Sequence, residues 1–341
     1  MPPRSPQRST SSPNAAQPRN AAPSIASAPP SHAPDEAAAR PRWVADSALD
    51  LVGHTPLVRL HRVSPKSGGL VHAKLESMSP GGSVKDRAAL RMVVAAEAEG
   101  RIGPGATIVE ATSGNTGISL AMIAAVRGYR CVVVMPEGMS PERRNILRAF
   151  GAEIVLTPVD EGMSGAVQRA NEIVRSTPGA WMSKQFDNPA NADAHALGTA
   201  LEILDQTGGE VAAFVAGVGT GGTLSGCGRV LRERLGKDVR IVAVEPEKSA
   251  VLSGKPPGPH GIQGLGAGFV PSILDRSLID EVIAVSDVAA ERMARRIARE
   301  EGLLVGPSAG ANVQASIEIA RRIKGTVVTI LCDSGERYLM A

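Results

Sequence analysis

The chain has 341 residues, 43% of them hydrophobic, which is enough for one large domain or two, and its formal net charge is +3. Only 2% of residues are aromatic, which leaves no stacking platform for single-stranded nucleic acid. Residues 1–42 hold Arg4, Arg8, Arg19, Arg40 and Arg42 against Asp35 and Glu36, so the excess charge lies there. The remainder is formally neutral, and no nucleic-acid partner is expected.

Residues 1–42 are rich in Pro, Ser, Ala and Arg and nearly lack large apolar groups. Such a segment cannot bury enough surface to offset its ordering entropy, so a disordered tail is expected. Its first 34 residues carry arginine but no acid, which also fits an organelle transit peptide, although the proline density argues against a presequence helix. From Trp43 on, short apolar runs alternate with longer stretches of helical period. The pattern predicts strands over residues 55–60, 71–75, 107–110, 131–135, 153–157, 212–216, 239–245 and 326–331. It predicts helices over 88–99, 116–126, 141–150, 224–235, 288–301 and 311–323. Strands alternating with helices imply an α/β chain whose mostly parallel sheet is covered on both faces. Ligands on such sheets bind in the strand-to-helix loops beyond the carboxyl ends of strands.

The unusual residues fall in those loops. PGGSVKDR, residues 80–87, places Lys85 at the head of a helix. The positive end of the helix dipole disfavours an ammonium there, which suits an amine that must be uncharged part of the time, as Schiff-base chemistry requires; the plain alternative is a solvated surface lysine. After the strand over 107–110 comes Thr112-Ser113-Gly114-Asn115-Thr116-Gly117. Its side chains and free amides suit a small anion such as a carboxylate, the alternative being a helix cap. After the strand over 212–216 comes Gly217-Val218-Gly219-Thr220-Gly221-Gly222-Thr223. It reads as a phosphate cradle, although it is neither a Walker A loop nor the dinucleotide fingerprint. A third strand-to-helix junction is expected at residues 306–310, where Ser308 is either an N-cap or a hydroxyl for a ring nitrogen. Gln185 and the glycine loop around Gly264 are expected as loops near the site. A reactive lysine, a phosphate cradle, a carboxylate loop and a hydroxyl together suit pyridoxal phosphate carrying an amino acid.

The three cysteines (Cys131, Cys227 and Cys332) are odd in number and far apart, which points to a reducing compartment, the cytoplasm, with neither disulfides nor zinc. The histidines form no paired metal-ligand motif, so no metal site is expected, and His61 and His195 are expected as structural or surface residues. No run approaches bilayer length, so no membrane partner is expected.

GSVKDR, TSGNTG, KQFDNPAN, AGVGTGGT, PGPHGIQGLGAGF and GERYL, in this order, resemble the cysteine synthases (O-acetylserine sulfhydrylases) of the fold-type-II PLP enzymes, over about residues 49–339. The resemblance implies a tryptophan synthase β-like architecture of two domains, each a mostly parallel twisted sheet flanked by helices. The large cofactor-binding domain would span 43–77 and 189–341, and a smaller mobile domain 78–188. Lys85 would form the internal aldimine and act as acid and base at the α-carbon. Gly219, Thr220, Gly221, Gly222 and Thr223 would hold the cofactor phosphate, Ser308 the pyridine nitrogen, and Asn115 would lie near the ring hydroxyl. Thr112, Ser113, Gly114, Asn115, Thr116, Gln185 and Gly264 would bind substrate. The implied reaction eliminates acetate from O-acetyl-L-serine to give an aminoacrylate, to which sulfide adds to give L-cysteine. A homodimer is implied, as is docking of the C-terminal peptide of serine acetyltransferase in the carboxylate site. Cystathionine β-synthase and an O-phosphoserine-dependent cysteine synthase share much of the motif set and remain alternatives. Three departures stand out: Ser79 replaces the usual Asn, Asp333 occupies a position where many members have Pro or Ser, and the sequence stops at Ala341, which bears on the dimer edge.

Overall fold

The computed structural model describes residues 44–138 and 141–339, so the tail expected over residues 1–42 lies outside the described residues. Two sheets organise the chain. The first takes β1 (Leu57–Arg59), β2 (Leu70–Leu75), β7 (Ala213–Gly217), β8 (Arg240–Pro246), β9 (Glu281–Val285) and β10 (Thr326–Leu331), in the order β1-β2-β10-β7-β8-β9. Only the β1–β2 pair is antiparallel. The second sheet takes β3 (Thr107–Ala111), β4 (Arg130–Pro136), β5 (Glu153–Thr157) and β6 (Ala180–Met182), all parallel, in the order β5-β4-β3-β6.

The central strands of both sheets, β7, β8 and β10 in one and β3 and β4 in the other, are buried on both faces, which is why they read as nearly unbroken apolar runs. Along β7 and β8, successive side chains alternate between two cores. Ala213, Val215, Val242 and Val244 pack beneath α8 (Asp287–Arg296) and α9 (Pro307–Arg322). Phe214, Ala216, Ile241 and Ala243 pack beneath α6 (Ala200–Thr207) and α7 (Gly222–Leu235). In the second sheet, Ile108, Val133 and Met135 face α1 (Lys85–Ala98), α2 (Asn115–Arg127) and α3 (Pro141–Ala149). Val109, Val132 and Val134 face α4 (Gly162–Ser176).

Several elements escaped the sequence pattern. Helix α4 buries only Ala166 and Ala170, too small a stripe to announce itself. Strand β6 is three residues long, and β9 borders a charged helix. Helix α5 (Pro189–Ala194) runs into α6 through a π-helical turn, His195–Thr199, which breaks the 3.6-residue period. The run over 55–60 contributes only the short edge strand β1. The expected third strand-to-helix junction is corrected: no named strand precedes α9, and Val305 makes just an isolated bridge with Ser334.

Candidate functional site

Lys85 is the first residue of α1, and the backbone before it is tethered to the segment after β10. The Val84 amide donates to the Cys332 carbonyl at 2.8 Å, and Ser83 bridges Asp333. Burial lowers the Lys85 pKa below the usual lysine range, while the negative potential of Cys332 and Asp333 opposes that shift. Two residues on, Arg87 sits in a buried charge cluster. Its Nε donates to Glu76 Oε2 at 2.6 Å and its Nη1 to Glu202 Oε1 at 2.6 Å, and Lys74 Nζ meets Glu202 Oε2 at 2.5 Å. The cluster ties β2, α6 and the turn before α1 to the helix that carries Lys85.

The turn between β7 and α7 is shaped by close approach. A β-carbon at Gly219 would lie 2.2 Å from the Gly264 carbonyl oxygen, and one at Gly222 would lie 2.1 Å from Asn191 Oδ1. Gly221 has φ +85°, which only glycine adopts freely. Among the described residues, no backbone hydrogen bond uses the amides of Gly219, Thr220 or Gly221, so they are available to an anion in front of α7. Asn191 Nδ2 donates to Thr220 Oγ1 at 3.0 Å and to the Gln185 carbonyl at 2.8 Å. Thr223 Oγ1 lies 3.2 Å from His195 Nε2. Burial, and then the charges of Arg87 and Lys85, depress the His195 pKa well below its usual value, so the ring stays neutral beside the turn. His195 is structural, and the π-helical turn aims it at Thr223.

The loop between β3 and α2 lacks a side-chain cap: Gly114 is the capping residue and its helix end has no capping hydrogen bond. The helix-cap alternative is therefore excluded; the Gly117 amide donates to the Gly114 carbonyl at 3.2 Å, and no hydrogen bond among the described residues uses the amides of Asn115 and Thr116. Thr116 Oγ1 donates to Gln185 Oε1 at 2.7 Å, joining the two expected carboxylate-binding segments. Asn115 is otherwise engaged: its Nδ2 donates to Asp333 Oδ2 at 2.7 Å, and its Oδ1 accepts from Arg337 Nη1. Below the loop, burial raises the carboxyl of Glu110 to about 7, against hydrogen bonds from Ser183.

Ser308 does not cap α9, whose capping residue is Gly306. It is buried, its hydroxyl works against burial to lower the pKa of the Cys332 thiol, and a β-carbon at Gly264 would lie 3.9 Å from its Oγ. The Cys332 carbonyl thus holds the backbone just before Lys85, and Gly264 lies between Ser308 and the turn at Gly219. Thr116 stands with Gln185, and Thr112, Ser113 and Gly114 lie in the loop just before α2. Sequence reasoning gave the framing residues no place at the site, although it expected His195 as structural or surface and noted Asp333 as a departure. Asn191 and His195 hold the turn, Asp333 and Arg337 hold Asn115, and Tyr338 donates to Asp333. Arg143 holds the Ser113 carbonyl, its Nη1 donating at 3.0 Å. One signal was readable: an arginine in the first turn of a helix runs against the dipole.

The match to known proteins is extensive. Residues 48–333 match the model of the family described as pyridoxal-phosphate dependent enzyme. The chain is 52% identical over 297 residues, 86% of its length, to a cysteine synthase of Staphylococcus aureus (strain Mu50 / ATCC 700699), covering 95% of that relative. Among solved structures, a cysteine synthase from Entamoeba histolytica superposes with TM-score 0.85 at 44% identity, covering 89% of this chain and 91% of that one. An O-ureido-L-serine synthase superposes with TM-score 0.84 at 47% identity, covering 87% and 94%.

Proposed function

The chain belongs to the pyridoxal-phosphate dependent enzymes, and from that membership we propose that it catalyses the cysteine synthase reaction, replacing the acetate of O-acetyl-L-serine with sulfide. The observation that supports this reading is the glycine turn itself, whose amides at residues 219–221 donate to no backbone partner among the described residues and whose Gly219 packs against Gly264, which in turn lies beside Ser308. These residues fit the cofactor. The glycine turn leaves a cradle that a β-carbon would close, and the hydroxyl of Ser308 is uncharged.

When bound, pyridoxal phosphate withdraws electrons from the substrate's α-carbon, so that the α-proton and then the β-substituent leave. Lys85 would hold the cofactor's aldehyde carbon and afterwards take and return the α-proton at Nζ; burial, which lowers its pKa, eases loss of the proton it must shed to act as base. The amides of Gly219, Thr220 and Gly221, with Thr223, would hold the phosphate. Ser308 would face the pyridine nitrogen, and a neutral hydroxyl there favours β-elimination over a long-lived carbanion. Thr112 through Thr116, with Gln185, would hold the substrate carboxylate, and Gly264 would border the substrate. Asn115 would exchange its bond to Asp333 for the ligand. Residues 78–188 would then close over the site as a mobile unit and exclude water.

The test is the absorption spectrum of the purified holoenzyme. The cofactor band should shift on adding O-acetylserine and return on adding sulfide. Initial rates with O-acetylserine, O-phosphoserine and serine, each with sulfide and with homocysteine, decide the substrate pair. A preference for serine plus homocysteine would overturn the assignment. Lys85→Ala should abolish turnover while leaving carboxylate binding intact.

For partners, the proposal is a homodimer, supported by exposed Met78, Leu197 and Leu201, with docking of the serine acetyltransferase C-terminal peptide at the open end of α2. Sedimentation and peptide calorimetry test these in turn. The free cysteines among the described residues are consistent with a working place in the cytoplasm.

A further inference from the structure

Arg143 lies in the first turn of α3, where a cation opposes the helix dipole, and it is only 9% exposed. Its Nη1 donates to the Ser113 carbonyl at 3.0 Å and its Nη2 to Gln263 Oε1 at 2.6 Å. Its guanidinium carbon stands 5.6 Å over the ring of Tyr338. The Nε is buried without a hydrogen-bond partner, and no carboxylate lies within ion-pair distance of this arginine among the described residues. The nearest acid reached through Tyr338 is Asp333, whose Oδ2 already accepts from Tyr338 and Asn115.

A buried guanidinium with no counter-anion is costly, and proteins leave such a charge where a ligand completes it. Both of its anchors are walls of the site: Ser113 in the loop before α2, and Gln263 next to Gly264. We propose that Arg143 is a positioning residue for the substrate carboxylate: it pins the loop at residues 112–114 against the glycine loop and supplies the uncompensated positive charge that an anionic substrate neutralises. The proposal rests on the cysteine synthase reading and names which residue sets the affinity of that site. It acts through the loop, without touching the reacting atoms.

The experiment uses holoenzyme and two probes: L-alanine, which carries the carboxylate but no leaving group, titrated by the cofactor's absorption, and O-acetylserine in steady state. In Arg143→Met, the Kd for alanine and the KM for O-acetylserine should rise at least tenfold. The kcat should change by less than about threefold, and cofactor content and the ligand-free band should stay as in the wild type. Added chloride should weaken alanine binding to the wild type more than to the variant, because the charge is screened. Arg143→Lys should recover part of the affinity. An alanine Kd within twofold of wild type, or a fall in kcat at unchanged KM, overturns the proposal. If Arg143→Met does not fold, Arg143→Lys and Gln263→Ala decide: a threefold or greater rise in the alanine Kd supports it, and wild-type values overturn it. The wild type's response to O-acetylserine and sulfide keeps the two ideas apart. If it fails, the reaction assignment falls; if it succeeds while the variants match it, only the role of Arg143 falls.

Discussion

Replacing Arg87 with methionine tests whether the charge cluster beneath α1 holds the helix that presents Lys85. Arg87 donates to both Glu76 and Glu202, and its side chain and that of Glu76 are almost fully buried. With Lys74 the four charges cancel; without Arg87 one carboxylate is left uncompensated. Breaking a buried pair from one side costs about 3–5 kcal/mol. An unfolding entropy of about 2.1 cal/mol/K per residue over roughly 300 residues gives about 0.6 kcal/mol/K, so the midpoint should fall by roughly 5–8 °C. Scanning calorimetry of the holoenzyme reads this directly. The pH dependence has a definite sign. Burial works to raise the Glu202 pKa, but bonds and charge from Arg87 and Lys74 hold it down to about 2. In the wild type this stabilisation is therefore complete above the ordinary glutamate pKa of about 4.3 and is lost as pH falls towards 2. The gap between variant and wild type should thus be widest at neutral pH and should narrow below about pH 4.3. Adding Glu202→Gln to Arg87→Met restores neutrality, so the double variant should lose less than the sum of the singles. A midpoint shift below about 2 °C, or strict additivity, would refute the reasoning.

Gly219→Ala drives a β-carbon into the Gly264 carbonyl oxygen at 2.2 Å. Cofactor affinity, measured by absorbance after dialysis, should drop at least about tenfold, roughly 1.4 kcal/mol. Gly103→Ala, with nothing within 4 Å, should bind as the wild type does. Glu110 has a folded pKa raised to about 7. The folded state therefore holds a proton that the unfolded chain releases above about pH 4.3, and stability should decline by up to about 3 kcal/mol as pH rises from there to 7. Glu110→Gln should flatten that decline in denaturant titrations at successive pH values; an unchanged slope would show that another group is responsible.

Some of the site was legible because its constraints are local. Gly221, at φ +85°, and a lysine at a helix head are choices a neighbourhood of a few residues explains, whereas Gly219 and Gly222 are glycine because Gly264 and Asn191, remote in sequence, pack against them. The α/β alternation was legible for the same reason, since long apolar strands buried on both faces leave an unbroken signature. Short β6, the alanine-faced α4 and the helix interrupted at His195–Thr199 carry too little periodicity to register. The free end of α2 also had to be seen, because capping depends on side-chain direction, and none of its polar residues turns back to cap it.

Taken alone, the order of residues determined which chemical groups are available and which loops carry them: an amine, a glycine turn, a hydroxyl-rich loop and a serine. Folding alone decided who stands beside whom. Cys332 accepts from Asn312 across 20 positions of chain, Asn115 is held by Asp333 and Arg337, and a guanidinium from α3 grips two loops with no acid partner among the described residues. Such contacts join elements remote in sequence, and burial, which lowers the pKa of Lys85 and His195 and raises that of Glu110, is a property of the packed whole and of no single segment.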